Sequence, residues 1–168
     1  GWVSFVESGF RKALADSSAR IVMTRFGDTG TEDQVLLVEE VLEAMPDVDY
    51  LVGSGPMAEV AVPILRARGL EGKVSVVSTY MSHAVYRGVM RGRILAAPTD
   101  SPVIQGRLAI EMAVRAVERS LQVRHAGPPI SLVTPDDAGS AFLDGSLAPA
   151  SFVPVFSLDV ENTAQPEP

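Results

Sequence analysis

Short β-branched runs alternate along the chain with longer stretches whose apolar residues recur every third or fourth position. That alternation predicts strands and helices in turn, an α/β arrangement. Residues 2–15 read as a helix, with Trp2, Phe5, Val6, Phe10 and Leu14 on one face and Arg11 and Lys12 on the other. Residues 19–26 read as a strand that ends in the turn Gly27-Asp28-Thr29-Gly30. Thr31 is placed to cap the next helix, whose apolar face is Val35, Leu36, Val38, Val41, Leu42 and Met45 and which Pro46 stops. A second strand at residues 49–52 runs into Gly53-Ser54-Gly55. Pro56 then opens a helix that extends to Gly69, with a kink expected at Pro63.

The rest of the chain is organised around the stretch 73–102. Val74, Val76 and Val77 form a short apolar run, suited to a buried parallel strand, that ends at Ser78-Thr79-Tyr80. A brief helix, Gly88 and Gly92 lead into a second run, Ile94-Leu95-Ala96-Ala97, which stops at Pro98-Thr99-Asp100-Ser101-Pro102. In open α/β sheets ligands bind at the carboxyl ends of the strands, so Tyr80 and Asp100 are candidate site residues. The longest helix is expected over residues 102–121, and a short strand over residues 130–134. Beyond residue 135 the chain turns rich in Pro, Asp, Ser and Ala. A last strand is expected at residues 152–158, where Pro154 restricts it to a sheet edge, and a disordered tail at residues 160–168. The whole predicts a three-layer α/β fold with a mainly parallel sheet and helices on both faces.

Composition narrows the function. Apolar residues make up 46% of the chain, enough for a core of good size. A net charge of -7 leaves no excess of cations to neutralise phosphates, which argues against a nucleic-acid partner; Arg87, Arg91 and Arg93 read as a solvated face. Absence of cysteine excludes disulfides and thiolate metal sites. No apolar run is long enough to insert in a bilayer. The start at Gly1-Trp2, without Met or signal peptide, is expected of a trimmed chain or a fragment.

Motifs that could carry catalysis are weak. Gly53-x-Gly55-x-x-Ala58 between strand and helix meets the local dinucleotide fingerprint, yet the next strand ends Ser78-Thr79-Tyr80, without the carboxylate that a ribose hydroxyl needs. Asp28-Thr29-Gly30 is the tripeptide of aspartic proteases, whose chemistry needs two such carboxylates; one copy between a strand and a helix is a turn. His83 and His125 lack partners at metal-ligand spacing, and Ser54 is not set in a nucleophile elbow. No enzyme activity and no cofactor are expected.

The fragments GFRKAL, GDTGTEDQ and MPDVDYLVGSGPMAEVAVPIL, together with residues 73–102, resemble the C-terminal lobe of type I periplasmic binding proteins, the ribose-binding and LacI-like superfamily. The resemblance runs from Trp2 to about Val133. Within it, VVSTYMSHAVYRG followed by GRILAAPTDSPVIQGRLAIEMAVRA looks close to the periplasmic subfamily that senses trimethylamine N-oxide (TMAO) and partners a membrane sensor histidine kinase. The resemblance implies residues 1–134 as one of two lobes around a ligand cleft, residues 135–159 as a returning segment, and a periplasmic location. It implies ligand contacts at Ser54, in place of a polar contact, at Tyr80, in place of an acidic sugar-binding residue, and at Asp100, in place of an amide contact. Trp2 matches a position expected to supply a second ring, and Phe26 is a third candidate. An aromatic ring at Tyr80 fits a methylated nitrogen better than a sugar hydroxyl. The alternatives are a sugar or other small solute in a transport system, and an NAD-dependent enzyme built on the Gly53-x-Gly55 turn.

Overall fold

Two short strands begin the sheet. β1 (Tyr50–Gly53) and β2 (Ser75–Ser78) pair in parallel, Leu51 against Val76 and Val52 against Val77. The computed structural model describes residues 2–138, 140, 143, 145–149 and 151–157. β3 (Ala97–Thr99) joins β2 through one parallel bridge, Val77 to Ala96, with the Leu95 N–H donating to the Val76 carbonyl at 2.7 Å and the Ser78 N–H to the Ala96 carbonyl at 3.1 Å. β4 (Ser131–Val133) then pairs antiparallel with β3.

Helices fall where the patterning predicts them: α1 (Val3–Leu14), α2 (Thr31–Ala44), α3 (Gly55–Ala67), α4 (His83–Met90) and α5 (Pro102–Val117). Their ends obey local chemistry. Ser54 caps α3 by accepting the Met57 N–H at 3.3 Å, and Ser82 caps α4 by accepting the Val85 N–H at 3.1 Å. α3 ends in a Schellman turn: Gly69 takes φ +67, its N–H reaches the Arg66 carbonyl, and the Leu70 N–H reaches that of Leu65. α2 starts one residue earlier than expected, since Gly30 occupies the N-cap and Thr31 is its first helical residue.

The core lies between the sheet and α3, with α2 and α4 beside it. Leu51 and Val76 are buried on the strands, Ala58, Ala61 and Leu65 on α3, Val38 and Leu42 on α2, and Val85 and Val89 on α4. Burying each of the larger side chains contributes about 1.5–3 kcal/mol. Arg68, at the end of α3, pairs with Glu39 and Glu43 and so fastens α3 to α2.

The remaining expectations need correction. Residues 19–26 form no strand; an extended segment counts as one only when a ladder partner takes up its N–H and C=O groups, and none of the described strands lies against it. The apolar face of α1 is not buried, Phe5 being 80% exposed, and α5 also contributes no buried residue. The second apolar run of the 73–102 stretch becomes a strand only from Ala97, later than its pattern suggests. Residues 152–157 are irregular and exposed rather than a strand, and Leu158 and the expected tail lie outside the described residues. Leu143 and Leu147 pack the segment after Thr134 against the core, and hydrogen bonds add to them. The Thr99 and Ser146 hydroxyls hydrogen-bond to each other, and His83 Nε2 donates to the Ala148 carbonyl at 2.8 Å.

Candidate functional site

Parallel strands present the ends of β1, β2 and β3 at one edge of the sheet. The loop after β2 is bound to the first turns of α3. The Thr79 N–H donates to the Gly53 carbonyl at 2.8 Å, and the Ser82 hydroxyl donates to Glu59 Oε1 at 2.8 Å. Between these two ties lies Tyr80, half-buried, with its ring against Gly55. A Cβ on Gly55 would come within 2.7 Å of Tyr80 Cε2 and 3.0 Å of Cζ. Glycine at this position therefore lets an aromatic ring lie on the helix backbone.

Trp2, just before α1, completes an aromatic pair. Its ring centroid is 6.2 Å from that of Tyr80 and the planes stand at 81°, an edge-to-face arrangement. Trp2 is 53% exposed, so the pair is open to solvent on one side. Burial raises the Tyr80 pKa above its ordinary value of 10.0, the backbone at Gly55 opposes that shift, and the charge of Glu59 adds to it. The phenol is thus neutral at physiological pH and carries a proton that it can donate to an acceptor.

The other candidates stand differently. Ser54 is committed to structure: it caps α3 and donates to Gln34 Oε1 at 3.4 Å, while buried Gln34 donates from Nε2 to the Asp28 carbonyl at 2.5 Å. Asp100 is exposed immediately after β3; its backbone carbonyl accepts from Gln105 Nε2 at 2.8 Å. Its carboxylate does not cap α5: Ser101 occupies the N-cap position in a left-handed conformation, φ 54, and the helix has no side-chain cap. Phe26 is 67% exposed and makes no ring contact among the described residues. Glu59 was not among the residues picked from the sequence. Its signal was there, since it is the one charged residue between Gly55 and Leu65 and lies one helical turn beyond Gly55.

The dinucleotide reading of Gly53-Ser54-Gly55 loses its geometry here. The helix turn that a pyrophosphate would approach carries the Tyr80 ring instead. Asp28-Thr29-Gly30 is a turn, with the Asp28 carboxylate accepting the Thr29 N–H at 2.6 Å and Gly30 serving as N-cap of α2. No cluster of metal-ligating side chains occurs among the described residues.

Residues 5–125 match the family of periplasmic binding proteins and sugar binding domain of the LacI family. The chain belongs to this family. It is 40% identical over 148 residues to the periplasmic protein TorT of Escherichia coli (strain K12), an alignment covering 88% of this chain and 43% of TorT. An ABC transporter solute binding protein from Bradyrhizobium sp. BTAi1, crystallised with bound Bis-Tris, is 42% identical. It superposes with a TM-score of 0.85 over 94% of this chain and 47% of its own. The complex of the TorS sensor domain with TorT in the presence of TMAO matches at 36% identity and a TM-score of 0.84, over 90% of this chain and 51% of the matched one. The chain therefore spans about half the length of these relatives. Membership settles the fold as the α/β type I binding-protein architecture. Members of this family are binding proteins and sugar binding domains.

Proposed function

We propose that this chain supplies one wall of a ligand site in a periplasmic sensor that binds a small methylated nitrogen compound, TMAO or a close analogue, without chemistry. The observation that carries the reading is the edge-to-face pair of Trp2 and Tyr80 at the carboxyl end of the parallel strands. A nitrogen bearing three carbon groups presents a diffuse positive charge that ring faces attract, at about 0.5–2 kcal/mol per ring. The neutral Tyr80 phenol can donate its proton to an amine-oxide oxygen. Similarity to TorT and to its complex with the TorS sensor domain supports this ligand class, and it supports the periplasmic domain of a sensor histidine kinase as partner. Bis-Tris, bound to another relative, is likewise a nitrogen with three carbon substituents. In this reading residues 1–134 form one lobe and the segment after Thr134 returns toward the other. Asp100, exposed beyond β3, offers a polar contact at the rim, and Phe26 and Ser54 stand outside the aromatic pair. Ligand closes the two lobes, and the partner reads the closed shape.

A second reading is the solute-binding component of a transport system for a sugar or similar polar molecule. It is favoured by the family's sugar-binding members and by the transporter relative. Calorimetric titration of the full-length protein with TMAO, ribose and NADH separates the two. The first reading expects heat of binding with TMAO alone. Saturable binding of ribose without TMAO binding would move the protein to the transport class.

A further inference from the structure

The aromatic pair explains affinity for a methylated nitrogen but leaves open how the site ranks ligands of different net charge. Glu59 bears on that. It is a single carboxylate in the apolar run Met57-Ala58-Glu59-Val60-Ala61-Val62 of α3, exposed, one turn beyond the glycine on which Tyr80 lies. Its position is held. Oε1 accepts the Ser82 hydroxyl at 2.8 Å, and that hydroxyl in turn accepts the Val85 N–H at 3.1 Å, so the contact ties Glu59 on α3 to the N-cap of α4. No Lys, Arg or His pairs with Glu59 among the described residues, and its second oxygen has no hydrogen bond there. Ser82 lies two residues after Tyr80, so the carboxylate is tied to the same loop as the ring, and its charge adds to the raised Tyr80 pKa.

We propose that Glu59 is a specificity-determining residue of this site. It favours solutes with a net positive quaternary or protonated tertiary nitrogen over the uncharged amine oxide. This inference rests on the methylated-nitrogen reading above. A carboxylate without a cationic partner, held to the loop that carries Tyr80, attracts a cation through its full charge, whereas a molecule whose charges cancel gains only from the difference between its two ends. Ring faces and carboxylate then act on the same nitrogen from different sides. The Ser82 tie gives Glu59 a second role as a positioning residue for the loop that carries Tyr80.

The test is calorimetry on the full-length protein with two probes, tetramethylammonium chloride and TMAO, at low ionic strength. Glu59→Gln keeps an acceptor for Ser82 and removes the charge. It should weaken tetramethylammonium binding by about threefold to tenfold, leave TMAO within about twofold, and leave the melting temperature unchanged. Glu59→Asp, which keeps the charge, should retain the preference. Equal loss for both probes in Glu59→Gln would reduce Glu59 to a loop support and overturn the charge selection. No loss for either would overturn it as well. If the unaltered protein bound neither probe, the methylated-nitrogen reading itself would fall, an outcome distinct from the failure of Glu59 alone.

Discussion

Tyr80 shows how one residue's environment is set by its neighbours. Gly55 makes room for the ring, Trp2 meets its edge, and Glu59 lies beside it. Burial, the largest influence, raises its pKa above 10.0. The folded chain then holds this proton more tightly than the unfolded chain does. The stability from keeping the phenol neutral is fully present below pH 10.0 and is lost as pH rises through the folded value. An ultraviolet titration of the chain and of Tyr80→Phe isolates that phenol by difference. Its ionisation should fall above 10.0, and a midpoint at or below that value would contradict the buried placement. Glycine at 55 has therefore a different meaning from the one its spacing suggests: the backbone is approached by the protein's own ring, not by a phosphate.

At the scale of elements, Ile94 packs the chain entering β3 against α4. Ile94 is 1% exposed, and its Cδ1 lies 2.6 Å from where a Cβ on Gly88 would stand. Ile94→Ala should destabilise the chain by about 2–5 kcal/mol, read by denaturant unfolding; a loss below about 1 kcal/mol would mean that the site collapses around the smaller side chain. Much at this scale was legible in the sequence. The unit from residue 49 to residue 69 is punctuated by Pro56 and Gly69, and the structure uses each where local chemistry places it. Residues 19–26 were not legible, because alternation specifies a strand's faces but not whether a partner will pair with it. The antiparallel direction of β4 was hidden for a similar reason, since an apolar run looks the same from either end. The meeting of Trp2 with Tyr80 is tertiary, and no local pattern encodes it. Asp100 illustrates the converse: its spacing from Pro102 suits a cap, yet the left-handed backbone at Ser101 sets that position instead.

For the whole molecule, exposure is uneven in an informative way. α3 is covered by its neighbours, while Tyr50 and Val52 of β1 and the apolar positions of α1 and α5 lie open among the described residues. A cleft between two lobes would place the ring pair against groups from the other lobe, which is how half a cage becomes a site. The claim on which this rests is that the Tyr80 ring face touches the ligand. Calorimetry of TMAO binding to the full-length protein, compared with Tyr80→Ala and Tyr80→Phe, measures it most directly. The account predicts a loss of about 1–2 kcal/mol in Tyr80→Ala with the fold intact, and retention of most of the affinity in Tyr80→Phe. Affinity unchanged in Tyr80→Ala would contradict it.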